Sequence, residues 1–251
     1  MLKKDTNMNF FRTLYLLLAF AVITIDVHSQ SLGNFFDAAD VFMKKWVKNG
    51  DIDYMALKSE QKELETLKEM IAKADLNSAS EDEKKAFYIN AYNLLVIHQV
   101  TSNYPLKSAM DKSGFFDAIR HNVAGTPATL DRLEKKYLIL AYGDPRIHFA
   151  VACAAKSCPK LASFSYRPSK LNEQLDERTN EAINSRYVVN LSKSDKKVWV
   201  SKIFDWYKRD FGGNEDGIEE FINKYRKATL PSWSLGYLEY DWTLNDIEVG
   251  K

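Results

Sequence analysis

The stretch from Arg146 to Pro159, Arg-Ile-His-Phe-Ala-Val-Ala-Cys-Ala-Ala-Lys-Ser-Cys-Pro, holds the densest set of reactive side chains in the sequence. The apolar run from Ile147 to Ala152, entered through Gly143-Asp144-Pro145, reads as a strand. Alternation along a strand would project Arg146 and His148 to one face. The strand would deliver Cys153 to its end and leave Ser157 and Cys158 in the following loop, a common place for catalytic groups. An imidazole near a thiol can hold it as thiolate and activate it. Cys153 as nucleophile, His148 as base and Glu134 as orienting group would make a thiol-dependent hydrolase or transferase. Both key residues also have structural readings: His148 as a satisfied core histidine, Cys153 as a small core residue.

The only two cysteines, Cys153 and Cys158, can be read together. A C-x4-C loop in an oxidising compartment can close as a disulfide, persist as two free thiols, or cycle between these states. Zinc on His148 and both thiols fits no standard spacing, and no fourth ligand stands nearby. No metal and no cofactor is expected.

Other elements must hold this segment in place. Ser80 and Glu83 form a capping-box signature, so a helix is expected from Glu81 through Ala-Phe-Tyr-Ile-Asn-Ala-Tyr-Asn-Leu-Leu-Val-Ile-His-Gln-Val to a stop before Pro105. It is apolar nearly all round and should be buried, with Asn90, Asn93 and Ile97 on one face. A buried amide must have its hydrogen bonds made, so Asn90 and Asn93 either orient a side chain at the site or tie down a loop. Glu134 falls on a helix expected over Leu130 to Leu140, from which it could pair with Arg146 or His148. Trp206, Tyr207, Trp233, Tyr240 and Trp242 could form a platform for a sugar, although such residues are more often core. His98 and His121 read as structural or exposed.

Further helices are expected over 34–48, 60–73, 169–185, from Ser201, and over 216–227. A hairpin is expected around Gly125, paired strands over 187–191 and 198–200, and a closing strand from Tyr237 to Leu244. Helices outnumber strands without regular alternation. The fold class is therefore α+β, a helix-rich single domain over 30–251 with a small, mostly antiparallel sheet.

Residues 1–29 read as a cleavable signal peptide. Lys3, Lys4 and Arg12 precede an apolar run from Thr13 to Ile25 that would span only roughly 20 Å as a helix, short of a hydrocarbon core of roughly 30 Å. Val27 and Ser29 suit the positions before a cut at Gln30, and Met8 is an alternative start. Removing this segment takes away three basic and two acidic residues and leaves 32 of each. That balance argues against nucleic acid as a partner. An exported periplasmic or extracellular protein without stable membrane insertion is expected.

Taken in order, Phe87 to Asn93, Leu130 to Glu134, Arg146 to Phe149, Cys153 to Pro159, Ser201 to Phe211 and Tyr240 to Asn245 give the chain a resemblance to the bacterial and plant family called domain of unknown function 547. The resemblance covers most of residues 40 to 245. It implies a shared fold and a shared site built from Asn90, Asn93, Glu134, Arg146, His148, Cys153 and Ser157, and it implies no reaction. Three functions compete. The first is a binding module that recognises an anionic group on a small molecule, peptide or glycan through Arg146, His148 and the 153–159 loop. The second is the thiol-dependent hydrolase or transferase, and the third a redox protein using Cys153 and Cys158.

Overall fold

Ser80 does what its spacing from Glu83 requires: its hydroxyl accepts the Glu83 amide N–H at 3.2 Å, and the Glu83 carboxylate accepts the Ser80 amide N–H at 2.8 Å. In the computed structural model, which describes residues 31–247, this box starts the long helix α4 (Glu81–Asn103). The apolar run at 13–25 and the cut before Gln30 lie outside the described residues. Helix α4 buries side chains on every face, Phe87, Ile89, Tyr92, Leu94, Leu95 and Ile97 among them, because its sequence offers no polar face to water.

Three earlier helices pack around it: α1 over 31–46, α2 (Tyr54–Ser59) and α3 (Lys62–Lys73). Helix α3 uses one stripe, Leu64, Leu67 and Ile71, and keeps its charged face outward. Its last carbonyls, of Ile71 and Ala72, accept the amides of Ala124 and Gly125 at 2.9 and 3.0 Å. Those two residues, both at positive φ, form the turn of the hairpin β3 (Arg120–Val123) and β4 (Thr126–Thr129). A second tight turn, Asn49-Gly50, joins β1 (Val47–Lys48) to β2 (Asp51–Ile52). At Gly50, with φ +85°, an added Cβ would stand 3.1 Å from Lys160 Cα, so glycine is required there.

Helix α5 is composite. It is α-helical at Leu130–Arg132, π-helical over Leu133–Ile139 and α-helical again at Leu140–Tyr142. After it come a 3-10 turn at Pro145–Phe149, α6 (Leu171–Ile183) and the hairpin β5 (Val189–Ser192) and β6 (Lys197–Val200). The short α7 (Ile203–Trp206), α8 (Glu215–Tyr225) and β7 (Ser234–Tyr237) follow, and β7 pairs parallel to β6. The fold is thus helix-rich α+β with small, mostly antiparallel sheets, as expected. A second apolar cluster under β5–β6–β7 contains Phe149, Val188, Val198, Phe204, Phe211 and Ile222, and Tyr240 packs against both it and the core around α4.

Two expected strands are absent. Residues 147–152 do not form one: the Asp144 carboxylate accepts the Arg146 amide at 3.1 Å and Pro145 fixes the next φ, so Asp-Pro starts a 3-10 turn. The run is apolar because it is buried on all sides, a condition periodicity cannot distinguish from a central strand. The strand expected over 237–244 is also corrected. Pairing in β7 stops at Tyr237, and beyond it only isolated bridges occur, Ala155 with Leu244 and Ile52 with Asp246.

Candidate functional site

Asn93 builds the floor of the site. Its side-chain amide donates to the Ala150 carbonyl at 2.9 Å and its carbonyl accepts the Ala152 amide at 2.9 Å. One buried side chain on α4 thereby fixes the backbone that leads into Cys153. The loop beyond is stitched to the C-terminal segment: the Lys156 amide donates to the Thr243 carbonyl at 2.8 Å, and the Asn245 amide to the Ala154 carbonyl at 3.0 Å. Ser157 shares this role, its hydroxyl accepting the Asp241 amide at 2.9 Å. Ala154 sits at φ +60°, a conformation costly for a residue with a Cβ and maintained by these bonds.

The result is a pair of thiols in direct contact, with 2.7 Å between the sulfurs. Cys158 Sγ accepts the backbone N–H of Cys153 at 2.8 Å, and the Tyr240 hydroxyl lies 3.1 Å from Cys153 Sγ. Burial opposes charge on Cys158, yet hydrogen bonds from the Cys153 thiol, the Cys153 N–H and Tyr240 outweigh it and hold this thiol below its ordinary pKa. Cys153 moves the other way, because its proton is held by Cys158 and because it too is desolvated. Of the two, the thiolate belongs on Cys158.

Both sulfurs line a cavity of about 270 Å³. Trp206, Tyr207, Tyr240 and Trp242 supply much of its wall, and Trp206 is 49% exposed at its rim. Glu134 enters the cavity from the π-helical part of α5, a distortion frequent at functional sites. Its two carboxylate oxygens accept the hydroxyls of Tyr207, at 2.6 Å, and Tyr92, at 3.1 Å. His148 also lines the cavity, packed at a tilt against Tyr207 with 4.1 Å between ring centroids and 38° between ring planes, and its Nε2 lies 2.8 Å from the Asp210 carboxylate. Burial lowers the His148 pKa despite Asp210, so the ring is neutral at neutral pH. Nε2–H therefore donates to Asp210, which leaves Nδ1 as an acceptor, buried and without a partner.

The structure brings together Cys153, Cys158, His148 and Glu134, with Asn93 beneath them. It does not bring Arg146. In a 3-10 turn residues two apart point to different sides, and Arg146 leaves His148 to bind Asp144 at 2.7 Å, Asn172 at 2.9 Å and Asp176 at 3.0 Å. The single face expected for Arg146 and His148 was a consequence of the strand, and it goes with it. Asn90 ties down another loop, donating to the Tyr166 carbonyl and accepting its amide at 2.8 and 2.9 Å. No hydrogen bond links His148 to Cys153 among the described residues.

Sequence reading missed Tyr92 and Asp210 as site residues and took Trp206, Tyr207, Tyr240 and Trp242 only as part of a sugar platform. Tyr92 lies between Asn90 and Asn93 on a helix apolar all round, and its phenol oxygen was the one available signal. Among the described residues, no group of three His, Cys, Asp or Glu side chains is placed to hold a metal ion. None of the described helices is long and apolar enough to cross a membrane.

Fold and site together define a helix-rich α+β domain with a dithiol set in an aromatic cavity. Residues 76–183 match the family described as "Protein of unknown function, DUF547". No curated protein and no solved structure matches the chain. The matched segment contains Asn93, Glu134, His148 and both cysteines, whereas Trp206, Tyr207, Asp210, Tyr240 and Trp242 come from beyond it.

Proposed function

We propose that this protein is a thiol–disulfide exchange enzyme acting on small disulfides that enter the aromatic cavity. The observation that carries the reading is the contact between Cys153 and Cys158, with hydrogen-bond donors gathered on Cys158. In the reduced protein the Cys158 thiolate attacks one sulfur of the substrate. The substrate S–S bond breaks, one thiolate leaves and takes a proton from solvent, and Cys158 carries a mixed disulfide. Cys153 then loses its proton and attacks Cys158 Sγ, releasing the second substrate thiol. The protein is oxidised by two electrons to the Cys153–Cys158 disulfide, and the substrate is reduced to two thiols. The oxidised protein runs the same steps backwards on a dithiol. The signal peptide read over 1–29 fits this chemistry, since disulfides persist outside the cytoplasm.

A second reading, the thiol-dependent hydrolase or transferase, is favoured by the neutral His148 ring held through Nε2 by Asp210 with Nδ1 unpartnered. Recognition of an anion through Arg146 has less support, because that guanidinium is engaged by two carboxylates outside the cavity.

Bis(2-hydroxyethyl) disulfide separates the readings. Treated with it, reduced wild-type protein should end as the chain less two hydrogens, and Cys153→Ser should stop with one mercaptoethanol adduct on Cys158. Wild-type protein that keeps both thiols, or holds two separate adducts, refutes exchange.

A further inference from the structure

Besides its thiols, the cavity is lined by four groups whose charge decides what can enter: Asp131, Glu134, Lys135 and His148. Asp131 and Lys135 neutralise each other across 2.5 Å. His148 is neutral, because burial disfavours its charged form. Glu134 remains: among the described residues no cation forms an ion pair with it, and Lys135, which feels its charge, is held by Asp131. Two phenol hydroxyls orient its carboxylate without compensating its charge. The site therefore carries net negative charge in aromatic surroundings, where an unpaired carboxylate is poorly solvated and a cation is attracted. Two further features suit a cation that donates hydrogen bonds. His148 contributes a buried acceptor, Nδ1, with no partner in the protein. Trp206, Trp242 and Tyr240, packed at centroid distances of 4.7 to 5.9 Å, supply ring faces whose quadrupole attracts positive charge.

Resting on the exchange reading above, we propose that the substrates are small disulfides bearing a protonated amine, with Glu134 as the counter-ion that recognises the ammonium group. Recognition and reactivity are then coupled. The Glu134 charge works against a thiolate on Cys158. An ammonium group seated on Glu134 cancels that effect, so the ligand favours the thiolate that attacks it.

Three disulfides of similar size test the charge: cystamine (dication), bis(2-hydroxyethyl) disulfide (neutral) and dithiodiglycolate (dianion). Their intrinsic reactivities differ, so the quantity read is the wild-type rate divided by the Glu134→Gln rate. Loss of the Glu134 charge also eases the Cys158 thiolate for every substrate, so the neutral compound sets the baseline, at or below one. The ratio for cystamine should exceed that baseline by about tenfold or more, and the ratio for the dianion should fall beneath it, as loss of one ion pair requires. Equal ratios for all three overturn the amine site. A second arm does not depend on the cysteines. In Cys153→Ser/Cys158→Ser protein, n-butylammonium should change tryptophan fluorescence saturably and n-butanol should not, a comparison that needs no change at Glu134. Ammonium binding without reaction of any disulfide would sink the exchange reading and leave the amine site standing. Exchange with equal ratios would do the reverse, and n-butanol binding as well as n-butylammonium also overturns the amine site.

Discussion

The Tyr240 hydroxyl lies 3.1 Å from Cys153 Sγ. Burial and the neighbouring thiols raise its pKa far above the ordinary phenol value, so it stays protonated and donates. A phenol that donates to a thiolate lowers the pKa of that thiol. Tyr240→Phe keeps the ring against Trp206 and Trp242 and removes the donor. The midpoint of the pH profile for iodoacetamide alkylation should rise by about one unit, with slower alkylation at pH 7. An unshifted profile would mean that Tyr240 only packs. The sequence pointed to Cys153 as nucleophile because it follows the reactive stretch directly. Which of two thiols holds the charge depends on donors folded around them, here the Cys153 N–H and Tyr240, and spacing does not encode that.

Elements whose signals are local were legible. The Ser80–Glu83 box, the Ala124-Gly125 turn and the stripe of α3 each depend on a few adjacent residues, and each appears where expected. Elements defined by their surroundings were not. The run Ile147 to Ala152 is apolar because α4, α6 and the sheet enclose it, so it reads as a strand while the Asp144-Pro145 start makes it a 3-10 turn. Composite α5 reads as an ordinary helix, since nothing in Leu-Glu-Lys-Lys-Tyr-Leu-Ile announces i to i−5 bonding such as that of the Leu140 N–H to the Lys135 carbonyl. The C-terminal segment showed its aromatic residues but not its task of bridging to the cysteine loop through Asp241, Thr243 and Asn245, because those bonds span more than eighty positions.

The molecule as a whole should be labile to acid. Burial lowers the pKa of His98, His121 and His148, that of His121 to about 4. A group with a lowered folded-state pKa stabilises the native state above its unfolded value, and the contribution is lost as pH falls towards the folded value. For His121 that window runs from 6.5 down to about 4, and the loss is on the order of 3 kcal/mol. Asp144, opposed by burial but held down to about 2 by Arg146 and Lys85, adds a second loss below 3.8. Urea unfolding should therefore show stability falling between pH 6.5 and 4 and again below pH 3.8. Stability constant from pH 7 to pH 4 would contradict the neutral, buried state of these imidazoles.

The central claim is that Cys153 and Cys158 form one redox unit. Equilibration in glutathione buffers of graded potential, followed by acid quench, alkylation and mass spectrometry, counts free thiols directly. The expected result is one reversible two-electron transition, in which both thiols disappear together and the oxidised chain contains an intramolecular Cys153–Cys158 bridge. Two independent one-thiol transitions ending in glutathione adducts, or a bridge that native protein never opens, would contradict it.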